Sequence, residues 1–280
     1  MLLPPYELNQ KIRLIRVFAG LNQADMAQLL GMTQSWVSKV EAGMGDLTVA
    51  HLNIIRKKFE ISADAIIDGT IPYSQISKTF NAPLKLPKKY THGANCRVRL
   101  LYGFVSLFEE RLGIDATLKF FRSKGIAPEV LADPDLRVSM AMVLDFMSFG
   151  MKTNLLTEEG AWEKIARCNI VSLLDSGSGF TQGSPKEAFA RVGEISRRYT
   201  TDFNYQIISV TDRSADIYAD HVRLQKWLGS NNSAFGSALG SYHKAVLEAL
   251  GRLDFKGMVQ VNTLPQAPEH CGFAYRATWN

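Results

Sequence analysis

Four polar side chains within six residues, Gln34, Ser35, Ser38 and Lys39, are of the types that read base edges in duplex DNA. Glutamine can pair bidentately with adenine, lysine donates to the acceptors of guanine, and serine adapts to either. Their spacing puts them on one outer face of a helix whose other side carries Val37 and Val40. A helix offered end-on to the major groove presents such a face to the bases.

Other chemistry is poorly provided for. The five histidines are His51, His92, His221, His243 and His270, and no two have the i, i+4 spacing of a helical metal pair. His270 adjoins Cys271, but neighbouring strand residues point to opposite faces. That pair reads as a turn histidine beside a core cysteine. Cys96, Cys168 and Cys271 form no CxxC, so reduced thiols are expected rather than a disulfide frame or zinc ribbon. Ser176-Gly177-Ser178-Gly179 lacks the lysine and the spacing of a phosphate loop and reads as a connector. No catalytic residue, metal or cofactor is expected, and the chain is not read as an enzyme.

The elements that hold the four polar residues are written locally. Asn22 can cap a helix starting at Gln23, with Met26, Ala27, Leu29 and Leu30 at helical spacing. Gly31 suits a left-handed stop, Thr33 caps the next helix, and Gly43 ends it. Ala27 is small where the two helices would cross.

Residues 6–70 resemble the Cro/CI (XRE) helix-turn-helix family of lambdoid phage repressors. The motifs are Asn22-Gln23-Ala24, Ala27, Gly31, Thr33-Gln34, Glu41-Ala42-Gly43 and Ser62-Ala63-Asp64-Ala65-Ile66-Ile67-Asp68-Gly69-Thr70. The resemblance implies an all-α, five-helix, lambda-repressor-like head. It implies base contacts from Gln34, Ser35 and Lys39, and phosphate-side positions for Arg16, Asn22, Gln23 and Trp36. Arg16 would also pair with Glu41. Trp36 stands where the family has a small polar residue; it would cover a thymine methyl or sugar edge, or pack on helix 2. Departures are Met44-Gly45-Asp46 in a normally basic loop, Arg56 at a normally buried apolar position, and Glu60 in place of the glycine after helix 4.

Net charge is +5, unevenly spread. Residues 1–71 hold seven Lys+Arg and seven Asp+Glu, so that stretch is neutral; residues 72–100 hold six basic residues and no acid. Phosphate attraction supplies most non-specific affinity, so a neutral head is expected to need a dimer. The stretch 72–95 contains Pro72, Pro83 and Pro87 and reads as a basic linker, with Lys85, Lys88 and Lys89 available for DNA backbone contacts. Boundaries are placed at 1–71, 72–95 and 96–280.

The remainder is expected to be a larger α+β domain. Apolar periodicity marks helices over 100–112, 115–124, 140–149 and 158–168, and Ser184-Pro185-Lys186-Glu187 is a capping box before another. After Thr200 the period changes to two: a hairpin turns at 211–214, a helix follows near 237–253, and strands at 257–263 and 271–279 close the chain. Helices packed on an antiparallel sheet follow. The last strand, Cys271-Gly272-Phe273-Ala274-Tyr275-Arg276-Ala277-Thr278-Trp279, resembles the close of the 4-vinyl-reductase-like and haem–nitric-oxide-binding-like sensor domains. The tyrosine–serine–arginine motif of the haem-binding members and the metal cysteines of others are missing, so no haem is expected.

Together these features describe a cytoplasmic, sequence-specific transcriptional regulator. No run of 18 apolar residues would span a membrane, and the start lacks a basic signal-peptide region. Partners expected are duplex DNA, a second copy, and a small apolar effector for the second domain. The alternative is a protein-interaction module, antitoxin-like, without sequence-specific DNA binding.

Overall fold

The computed structural model describes residues 3, 6–82, 84–174, 184–221, 232–253, 257–265 and 272–280. The chain forms two compact units, Met1–Leu86 with Phe121–Leu136, and Pro87–Phe120 with Arg137–Asn280.

The first unit is helical. Its order is α1 (Leu8–Phe18), α2 (Gln23–Leu30), α3 (Gln34–Glu41), α4 (Val49–Phe59), α5 (Ala63–Asp68) and α6 (Tyr73–Thr79). Ile12, Ile15 and Phe18 of α1, Met26 of α2, Val37 of α3 and Ile55 of α4 close one apolar core. Side-chain caps fix where the helices begin. The amide of Asp25 donates to Asn22 Oδ1 at 2.9 Å, and Asp25 Oδ2 accepts from the Asn22 amide at 2.9 Å. Thr33 Oγ1 likewise accepts from the Trp36 amide. Gly31, at φ 67°, ends α2 in the left-handed region.

The departure at Arg56 is accommodated at the surface: the residue is exposed and, with Lys57 and Lys58, closes the last turn of α4, where cations suit the carbonyl end of a helix. One expectation for this unit changes. The stretch 72–95 is not an open tether. It carries α6, whose Tyr73 and Ile76 are buried in the first core, and α7 (Lys88–Thr91), whose Tyr90 is buried in the second unit. Pro72 and Pro87 occupy the N-cap positions of these helices. Proline has no amide hydrogen, and the start of a helix does not need one.

The second unit contains α8 (Tyr102–Leu112), α10 (Met140–Lys152), α11 (Ala161–Leu174), α12 (Pro185–Ala190), α13 (Val192–Arg197) and α14 (Asn232–Gly251); α9 (Ile114–Ser123) begins in it. Short strands β1 (Cys96–Arg97) and β2 (Arg137–Val138) pair antiparallel. The main sheet is antiparallel, in the order β3 (Asn204–Val210), β4 (Ser214–Asp220), β6 (Gly272–Trp279), β5 (Val259–Leu264). Period-two alternation sets its inner face: Ala215, Ile217, Ala219, Val259, Val261, Tyr275 and Ala277 are all buried, as are Leu239, Leu247 and Leu250 of α14. A second apolar cluster stacks Phe108, Phe120, Phe146 and Phe149. The result is the expected helical head region followed by a larger α+β domain. The fourth helix runs to Leu174 rather than stopping at Cys168. The Ser176–Gly179 connector and the His270-Cys271 pair lie outside the described residues.

Gly103 is where α8 and α11 meet most closely. A Cβ there would lie 2.7 Å from the Ile165 Cα and collide with its carbonyl oxygen. The Gly103 amide donates to Asn169 Oδ1 at 3.0 Å, tying the same crossing. Gly103→Ala should therefore lower the urea midpoint by an amount equivalent to about 1–3 kcal/mol, the usual penalty of overpacking a core; an unchanged midpoint would contradict the close crossing.

Candidate nucleic-acid interface

Helix α3 has two distinct sides. Val37 and Val40 are each 2% exposed, whereas Gln34, Ser35, Ser38 and Lys39 are all exposed. The four base-reading candidates therefore share one open polar face.

What holds that face is a buried ion pair. Arg16 of α1 donates from Nε to Glu41 Oε1 at 2.5 Å and from Nη2 to Oε2 at 2.9 Å. Its Nη1 donates to the Leu21 carbonyl at 2.9 Å. Gln23, at the start of α2, adds an Nε2 bond to Glu41 Oε2 at 3.0 Å. The side chains of Arg16 and Glu41 are only 12% and 5% exposed. One carboxylate at the end of α3 thus gathers α1, the α1–α2 turn and the first residue of α2. Bidentate guanidinium–carboxylate geometry adds direction as well as energy.

This arrangement revises the phosphate-side expectations. Arg16 and Gln23 are engaged with Glu41, so they act first as the frame of α3. Asn22 remains exposed, its Oδ1 used as a helix cap. Trp36 leans on α4: its ring lies 4.8 Å from the His51 ring, and it is half-buried against the core. His51 is itself fixed by the α4 cap, where its Nδ1 accepts from the Thr48 amide at 3.2 Å. Of the linker cations, Lys85 and Lys88 are exposed, while Lys89 Nζ pairs with Asp145 Oδ2 at 2.8 Å and lies over the Tyr90 ring. The Gln23 bond to Glu41 and the Trp36–His51 contact were not legible in sequence, because both depend on helix crossing geometry.

The second unit brings together two residues that sequence spacing kept apart. His221, just after β4, and His243 of α14 are 5% and 0% exposed, with their Nε2 atoms 2.7 Å apart. Tyr205 Oη of β3 lies 2.6 Å from His243 Nδ1. Burial pushes the His221 imidazolium down to about 4 and His243 well below its ordinary 6.5, where neighbouring His221 adds to the effect.

Two measurements check these arrangements. Glu41→Ala leaves the Arg16 guanidinium buried without its partner and should cost about 3 kcal/mol or more; Arg16→Met with Glu41→Leu should recover most of that. Equal losses in the single and double variants would contradict the pairing. For the histidines, both are neutral when folded and take up protons near 6.5 when unfolded. Their contribution is complete above that pH, declines below it, and the His221 share is gone near pH 4. The urea midpoint of the wild type should thus fall more steeply on acidification than that of His221→Gln/His243→Gln. Parallel pH curves would contradict burial of the neutral pair.

Residues 12–66 match the helix-turn-helix family model HTH_3. No curated protein matches the chain by sequence. Among solved structures the chain is similar to the Fe(II) unliganded H-NOX protein from K. algicida, at 12% identity and TM-score 0.49 over 66% of this chain and 96% of that one. It is also similar to a mutant of T. tengcongensis H-NOX, at 13% identity and TM-score 0.45 over 63% and 93%. A small apolar cavity of about 20 Å³ lies among Ile170, Val192, Ile195, Tyr199, Phe203 and Val246 of the second unit. Residues 12–66 are a helix-turn-helix of the XRE (Cro/CI) type.

Proposed function

We propose that the protein is a sequence-specific DNA-binding transcriptional regulator that works as a dimer. The observation that carries this reading is the open polar face of α3, Gln34, Ser35, Ser38 and Lys39, on a helix whose opposite side is locked into the core. In this reading α3 enters the major groove. Gln34 and Lys39 supply directional base contacts, and Ser35 and Ser38 adapt to their neighbours. Asn22 and the second amide hydrogen of Gln23 face the phosphate backbone, and Lys85 and Lys88 add sequence-independent attraction.

The neutral balance of residues 1–71 supports two copies on one operator, because a single head has little electrostatic affinity of its own. The two heads would read half-sites about one helical turn apart, roughly 34 Å. The second unit then serves for pairing the copies and for sensing a small ligand; it carries no catalytic role. None of the helices among the described residues is long and apolar enough to cross a membrane, in keeping with a protein working on DNA in the cytoplasm.

Selection from random duplexes at low salt should enrich a two-part motif. Gln34→Ala and Lys39→Ala should each cost roughly 1–3 kcal/mol on that motif and relax the preference at one position per half-site. If the wild type enriches no motif, or neither variant changes it, the DNA reading fails and the protein-interaction reading takes its place.

A further inference from the structure

Helices α11 and α14 pack side by side in opposite directions. Glu163, near the start of α11, reaches Arg252, just beyond the end of α14, with Oε1 and Nη1 3.6 Å apart. Further along α11, Asn169 Nδ2 donates to the hydroxyl of Tyr242, in the middle of α14, at 3.3 Å. The seam between the two helices is an open groove of about 210 Å³. Ile170, Val171 and Leu253 give it an apolar floor, and Val171 is 46% exposed.

The rim of the groove carries four charges. Glu163 and Arg167 lie one turn apart on α11, and Glu248 and Arg252 one turn apart on the other wall. Because the helices run in opposite directions, Glu163 stands across from Arg252 and Arg167 across from Glu248. The rim is thus a square in which neighbours along every edge have opposite signs. Such a square is neutral, so it offers no net attraction to a partner of one sign, whether a nucleic acid or an anionic membrane. It is, however, its own complement. Consider a second copy laid face to face about a two-fold axis running either along the groove or across it. Each corner then meets a neighbouring corner of the square, and all four meetings join a glutamate to an arginine. Two-fold pairing of one surface with itself is the commonest symmetry of homo-oligomers.

We propose that the groove between α11 and α14 is the surface through which two copies of this chain pair, with Arg167 and Glu248 bridging to the other copy. The proposal rests on the dimeric part of the proposed function and names its interface. Among the described residues, neither Arg167 nor Glu248 is held in an ion pair within its own copy. Exposed on one copy, such charges contribute little; set against their opposites, they fix which surface pairs and in what orientation. The apolar floors of the two grooves, brought together beneath the charges, supply the burial that holds the copies.

The test uses the full chain without DNA, its mass followed by analytical ultracentrifugation over a concentration series. The wild type should sediment as a dimer. Arg167→Glu/Arg252→Glu makes the rim wholly acidic, and Glu163→Arg/Glu248→Arg makes it wholly basic. Each should be monomeric alone, and an equimolar mixture should recover a one-to-one dimer. Should either double variant fail to fold, Arg167→Glu and Val171→Asp, both at exposed positions, should each raise the dimer dissociation constant about 10-fold or more. Rim variants that stay dimeric alone, a mixture that stays monomeric, or an undiminished affinity in both single variants would overturn this interface and leave the dimer itself standing. A monomeric wild type would overturn both. Base reading by α3 is judged by selection on duplexes and enters none of these readouts.

Discussion

The buried carboxylate of Glu41 is the constraint on which the head domain turns. It sits at the last residue of α3 and accepts three hydrogen bonds, two from Arg16 and one from Gln23. Helix α3 spans only eight residues, too few to be stable alone in water. Its position comes from two buried valines on one side and this charge cluster at its end. A side chain can read a base only if its helix is fixed to within a fraction of an ångström. An apolar contact alone permits sliding; a bidentate ion pair does not. Burying such a pair is not obviously stabilising, since desolvation offsets most of the Coulomb gain. Its contribution here is register: the outer polar face of α3 stays outward because its inner end is tied.

The same choice explains the division of labour among the polar residues. Those near the α1–α3 junction, Arg16 and Gln23, are spent on the frame. Those on the open face, Gln34, Ser35, Ser38 and Lys39, stay exposed. Trp36, between the two groups, leans on His51 and so braces α3 against α4. The neutral charge of the head is consistent with this economy. Arg13, Arg16 and Glu41 all stand in ion pairs, Arg13 with Glu129 and Arg16 with Glu41, and so serve the head's own structure.

Much of the head was legible in the sequence because its signals are local. Asn22 and Thr33 act as caps, and Gly31 and Gly43 both adopt positive φ. The strands after Thr200 were legible for a similar reason, as alternation of period two survives folding unchanged. What stayed hidden was non-local or depended on backbone position. Pro72 and Pro87 look like helix breakers in a string of letters, but each stands at a helix start, so α6 and α7 were not visible. His221 and His243 are 22 residues apart and meet only because α14 packs on the sheet that β4 belongs to. No spacing rule along the chain could have joined them.

The central claim, that the outward face of α3 lies against nucleobases, is tested most directly by site-specific crosslinking. A photoreactive group attached at Ser35→Cys, in full-length protein bound to its selected duplex, should attach to base positions facing one major groove in each half-site. A control at Gln75→Cys on α6 should give none. Crosslinks absent from position 35, or scattered along the sugar–phosphate backbone without a preferred base, would contradict the account.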